Sequence, residues 1–153
     1  MIHGEGTEII AGVTLKEVFD FVLDPAQYTK ADTKIVWVTK LADTEDGMIG
    51  LEEGKFMGFG SGSVVTRYRW TPDYRSIDVT LVNGLLKSLH AWFELEEVDG
   101  GVRIRHVEEM EMAFGPLGKL LETIAAKWLA DSVRQEVAEI KRLMEAGERG
   151  KGP

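Results

Sequence analysis

A chain of 153 residues with 44% hydrophobic and 29% charged residues is long enough for one domain with a substantial core. Its formal net charge of −8 repels phosphate backbones, so no nucleic acid is expected as a partner. No run of about 18 apolar residues suggests a membrane span, the N-terminus lacks the marks of a secretion signal, and the absence of cysteine excludes disulfides and thiolate chemistry. The chain is expected in the cytoplasm, without integral membrane association.

The first strand is expected over Gly4 to Ala11. Thr14-Leu15-Lys16-Glu17 has the spacing of a capping box, and Leu15, Val18, Phe19 and Val22 follow on one helical face. Asp24-Pro25 is a second helix start, giving two short helices that end near Lys30. Lys34 to Leu41 alternates, with Ile35, Trp37, Thr39 and Leu41 assigned inward because that set is uncharged. The glycine-rich stretch from Asp43 to Gly62 predicts only a short strand around Lys55 to Phe59.

Further strands are expected over Ser63 to Trp70, Ser76 to Val82, Lys87 to Val98 and Val102 to Met112. They are joined by turns at Thr71 to Tyr74, Asn83-Gly84 and Asp99-Gly100. The last turn places Glu96 opposite Arg103, Glu94 opposite Arg105, Phe93 opposite His106 and Leu95 opposite Ile104. A four-residue turn at Thr71 places Arg67 opposite Asp78, Tyr68 opposite Ile77 and Thr66 opposite Val79. A strict Asn83-Gly84 hairpin would swap faces, so a longer loop or a bulge near Leu85-Leu86 is expected. After Phe114-Gly115-Pro116 one long helix runs to about Met144, roughly 45 Å at 1.5 Å per residue. Its apolar positions include Leu117, Leu120, Leu121, Ile124, Trp128, Val133 and Val137, and Ala125, Ala126 and Ala130 thin its first half. The tail from Glu148 to Pro153 lacks an apolar anchor and is expected to be disordered, leaving residues 1–147 as a single domain.

The inward strand positions form an apolar wall that includes Trp37, Val64, Trp70, Val79, Leu81, Phe93, Ile104 and Met110. Thr66, Tyr68, His106 and Glu108 interrupt it. A greasy wall with a few convergent polar groups is the pattern of a small-molecule pocket. With Leu121, Ile124 and Trp128 from the long helix, these residues are the candidate ligand contacts. His106, Glu108 and Tyr68 are the candidate acid–base groups. The alternative is that His106 is a hydrogen-bonded core histidine and Glu108 lies at the sheet margin. Trp92 falls on the outer face, where it is either covered or marks a self-association surface. Three scattered histidines give no metal spacing. No phosphate loop or nucleotide fingerprint is present, so no metal or cofactor is expected.

The order of one strand, two short helices, about six strands and a long helix resembles the helix-grip fold. Local resemblances are Val13-Thr14-Leu15-Lys16-Glu17-Val18-Phe19-Asp20-Phe21-Val22-Leu23-Asp24-Pro25, Asp99-Gly100-Gly101-Val102-Arg103-Ile104 and Gly115-Pro116-Leu117-Gly118-Lys119-Leu120-Leu121. In these stretches the chain is similar to the polyketide cyclase/dehydrase and lipid-transport family of the START-like (SRPBCC) superfamily, from about Glu5 to Met144. The resemblance implies an α+β fold, with a curved antiparallel sheet of six to seven strands wrapped on the C-terminal helix. It also implies a cavity for a lipid, a polyketide or a similar molecule. Some relatives are aromatase/cyclases with cavity Arg, Tyr and Ser/Thr groups. Here Tyr68 and Thr66 match such roles, but Arg67, Arg69, Arg103 and Arg105 all fall on the outer face. The leading expectation is therefore binding or transport of a hydrophobic or amphiphilic small molecule by a monomer or homodimer. A cyclase or dehydratase is the second reading, and a protein-interaction module working through the face around Trp92 is the third.

Overall fold

The computed structural model describes residues 1–58, 60–113 and 115–153. Strand β1 (Ile2–Ala11) leads into helices α1 (Leu15–Leu23) and α2 (Pro25–Ala31). Strands β2 (Ile35–Thr44), β3 (Gly47–Phe56), β4 (Gly60–Trp70), β5 (Ser76–Gly84), β6 (Leu86–Val98) and β7 (Gly101–Met112) follow, and helix α3 (Gly115–Glu145) closes the chain. The strands form one antiparallel sheet in the order β1-β7-β6-β5-β4-β3-β2. Because β1 and β2 are the two edges, the α1–α2 segment between them has to cross the sheet. This is the helix-grip arrangement. Among the described residues no helix is long and apolar enough to cross a membrane.

Local chemistry sets the element ends. The Thr14 side chain accepts from the Glu17 amide and the Glu17 side chain accepts from the Thr14 amide, satisfying two free helix-end donors at once. Asp24 caps α2 through the Ala26 amide, with Pro25 in the first turn. The β6–β7 register is the expected one, pairing Phe93 with His106 and Glu94 with Arg105.

Several expectations are corrected. Residues 43–62 hold all of β3 with the end of β2 and the start of β4, rather than one short strand; Phe59, within the expected strand, lies outside the described residues, as does Phe114. The loop after β4 is centred one residue later, with Tyr74 in the left-handed region at φ 63°. Tyr68 therefore faces Val79, and Arg69 rather than Arg67 faces Asp78. A shift of two residues keeps every side chain on its expected face. The bulge expected near Leu85-Leu86 lies between Leu86 and Ser88, and another interrupts β4–β5 between Val65 and Thr66.

On β2 the faces do change. A bulge between Ile35 and Trp37 leaves Trp37 45% exposed, while Lys34 and Val38 are buried. In the first half of α3, Gly118, Glu122, Ala125 and Leu129 face the sheet. Leu117, Leu120 and Ile124, expected on that face, are exposed. Helix α3 presses on β1: a Cβ added at Gly4 would lie 2.8 Å from Val133, and one at Gly6 2.7 Å from Val137. Residues 148–153, expected to lack an anchor, lie along α1, where the Lys151 amide donates to Asp24 and the Gly152 amide to the Asp20 carbonyl.

The core has two apolar parts. One joins α1, α2 and the strands to Ile140 and Met144 of α3. The other gathers Ile2, Met110, Met112, Ala125, Leu129 and Val133, with Phe56, Leu86, Leu89, Leu121 and Trp128 packed against it. A cavity and a layer of buried polar groups lie between them.

Candidate functional site

The cavity has a volume of about 340 Å³, within the range of small-molecule sites. Strands β2 to β7 supply most of its wall, including Val38, Met48, Val79, Ala91, Phe93 and Met110. Val22, Leu23, Pro25 and Tyr28 close one side, and Leu121 and Trp128 of α3 another. The Trp128 ring meets Phe56 edge-on at 5.0 Å. Lys34, Glu52, Tyr68, His106 and Glu108 bring polar groups to this wall.

These polar groups form two connected sets, which together make a charged floor. In the first, Lys34 Nζ lies 2.8 Å from Glu136, 3.0 Å from Asp32 and 3.2 Å from Glu108. His106 Nε2 lies 3.1 Å from Glu108 and 3.3 Å from Glu136, and the Tyr28 hydroxyl donates to Glu136. In the second, Glu52 Oε1 accepts from the Tyr68 hydroxyl at 2.5 Å and the Thr66 hydroxyl at 2.8 Å. All of these residues are buried, and such groups are held in an apolar interior only when paired.

Local structure places each member. The Asp32 carboxylate accepts from the Lys34 amide, and the Lys34 carbonyl accepts from Lys55 across the sheet edge. The lysine backbone is thus fixed just before the β2 bulge. His106 and Glu108 are two residues apart on β7 and share a face. Glu136 projects from α3 between Val133, Val137 and Ile140, all of them buried.

The charge states follow from this geometry. His106 Nδ1 is 3.0 Å from the Trp92 carbonyl and Nε2 faces two carboxylates, so both ring nitrogens meet acceptors. Burial opposes the imidazolium, but Glu136 and Glu108 outweigh it and raise its pKa. The ring also stacks on Phe93 at 3.8 Å. Burial pushes Glu108 up, yet Lys34 and His106 hold it down at about 2. Asp32 goes the other way, to about 7, through burial and the nearby Glu136 carboxylate against the pull of Lys34. Burial also raises Glu52 despite the hydroxyls of Tyr68 and Thr66.

Of the residues expected at a site, Tyr68, Val79, Phe93, His106, Glu108, Met110, Leu121 and Trp128 line the cavity. Thr66 stands behind it as a donor to Glu52. The other expected contacts lie elsewhere. Trp37 and Ile124 are exposed and Ile104 is sealed in the core; Trp70 packs on Phe19; Leu81 is not on the cavity wall. The expectation missed Lys34, Asp32, Glu52, Tyr28 and Glu136. His106, Glu108 and Glu136 each bring a donor atom to within 4.8 Å of the others, a grouping that spacing along the chain does not announce. The Lys34 ammonium already sits against both carboxylates as their cation.

The model of the family described as polyketide cyclase/dehydrase and lipid transport matches residues 1–145. The chain belongs to this family. This member of the polyketide cyclase/dehydrase and lipid-transport family shares its fold with solved structures of very different sequence. TTHA0849 from Thermus thermophilus superposes with a TM-score of 0.79 at 13% identity, covering 95% of this chain and 99% of that one. A START superfamily protein from Mycobacterium smegmatis gives 0.70 at 16% identity, covering 94% of each chain. The Zhui aromatase/cyclase from Streptomyces sp. R1128 gives 0.67 at 15% identity, covering 99% and 98%. At these identities the likeness establishes the fold alone. No curated protein matches the chain in sequence.

Proposed function

We propose that this family member binds a hydrophobic or amphiphilic small molecule in the cavity between the sheet, α2 and α3. The observation that carries the proposal is a 340 Å³ cavity whose wall is chiefly apolar and whose polar groups lie together. An apolar molecule entering it would release water from surfaces such as Val79, Ala91, Phe93 and Met110, which favours binding in proportion to the area covered.

Acid–base turnover by His106 is a weaker reading. Both of its nitrogens are engaged, and no arginine is among the described residues lining the cavity. The Tyr68 hydroxyl already donates to Glu52.

Titration with the neutral fluorophore N-phenyl-1-naphthylamine tests the binding reading. Saturable enhancement at one site per chain is expected. Ala91→Trp, which fills the cavity from β6, should abolish it while far-UV circular dichroism stays native. Equal enhancement with the folded Ala91→Trp protein would place the dye elsewhere and defeat the reading.

A further inference from the structure

Among the described residues, the hydroxyl, imidazole and ammonium donors of the polar floor are all engaged. The Tyr68 and Thr66 hydroxyls donate to Glu52, and the Tyr28 hydroxyl to Glu136. His106 uses both nitrogens, on the Trp92 carbonyl and on carboxylates. Lys34 spreads its ammonium over Asp32, Glu108 and Glu136.

Two carboxylates are only half used. Glu52 takes both of its hydrogen bonds on Oε1, and Glu108 meets Lys34 and His106 through Oε1. Neither Oε2 has a hydrogen-bond partner among the described residues. Glu52 is 7% exposed and Glu108 5% exposed, and both line the cavity. The unpartnered oxygens thus belong to side chains on the cavity wall.

Charge points the same way. Glu52 and Glu108 line the cavity, while the two cations beside them, Lys34 and His106, are already paired with carboxylates. At this floor a ligand carboxylate or phosphate would find no free donor among the described residues, the wall's Ser61 and Ser63 being exposed, and it would add like charge in a region of low dielectric. A protonated amine would supply the missing donors as charge-assisted hydrogen bonds. Lys55, the other lysine on the wall, has an exposed side chain.

We propose that the cavity selects amphiphiles with a protonated amine head, held between Glu52 Oε2 and Glu108 Oε2 with the apolar tail along Met110, Leu121 and Trp128. This rests on the cavity-binding reading and adds the class of head group.

Calorimetric titration of the full chain at neutral pH with decylamine, decanol and decanoate, each below its micelle concentration, tests it. Decylamine should bind one per chain, about tenfold or more tighter than decanol, with decanoate weakest. The ratio of decylamine to decanol affinity should shrink in Glu52→Gln and in Glu108→Gln. Decylamine binding should vanish in Ala91→Trp, which separates the cavity from attraction to the acidic surface. If decanol binds and decanoate matches or exceeds decylamine, the head-group assignment is overturned while the cavity reading stands. If decylamine still binds folded Ala91→Trp, it sits on the surface and the assignment is likewise overturned. If none of the three binds the wild type, both fall.

Discussion

Lys34 shows how a single residue can organise a buried site. Its ammonium contacts Asp32, Glu108 and Glu136 within 3.2 Å. Lys34→Met keeps most of the volume but leaves three buried carboxylates without that cation. Urea unfolding should show a loss of about 3–5 kcal/mol, the usual effect of removing one partner from a buried ion pair. Asp32 predicts the pH profile. Its pKa rises from 3.8 to about 7 on folding, so between those values the folded state holds the extra proton and stability falls as pH rises. His106, raised above 6.5, acts in the same sense: its contribution is full below that value and is lost as pH climbs through the folded pKa. Glu108, lowered from 4.5 to about 2, acts in the opposite sense and costs stability only in acid. Thermal melting followed from about pH 5 to pH 8 should therefore show a falling Tm, and Asp32→Asn should flatten much of that fall. A wild-type Tm that rises across this range would contradict these charge states.

At the scale of elements, the long helix and the first strand are mutually fitted. Gly6 allows β1 to approach α3 so closely that an added Cβ would meet Val137 at 2.7 Å and the Val133 carbonyl at 3.0 Å. Gly6→Ala should cost about 1–3 kcal/mol through overpacking. Thr14→Ala should cost about 1 kcal/mol through loss of the α1 cap. Chemical denaturation would measure both. These scales also explain what could be read from the chain. His106 and Glu108 were legible because the Asp99-Gly100 turn fixes the β6–β7 register, and strand parity then places both on one face. Lys34 was not, because parity with an uncharged-inward rule turned β2 over. The bulge at Ile35 to Trp37 brings Ile35, Lys34 and Val38 to the inner side together. Glu52 was hidden because glycines at 47, 50 and 54 disguise β3 as loop. Glu136 did leave a signal: it lies three residues after Val133 and four before Ile140, a carboxylate on an apolar stripe. The exposed Leu117, Leu120 and Ile124 misled in the opposite way, since the sheet-facing side of that half of α3 starts with Gly118, Glu122 and Ala125 and reaches a large apolar residue only at Leu129.

Across the whole molecule, two apolar clusters are held apart by a polar layer, and the cavity opens between them. On the proposals above, the apolar wall favours a ligand without specifying it, whereas the floor sets the preference for its head group. The central claim is that a small molecule occupies this interior. The most direct test maps backbone amide and tryptophan indole shifts by two-dimensional NMR as decanol is added. The predicted changes cluster at Val38, Met48, Ala91, Phe93, Met110 and the Trp128 indole and saturate at one decanol per chain. Shifts confined to exposed apolar positions such as Trp37, Leu117 and Leu120, or no saturable shifts at all, would contradict the account.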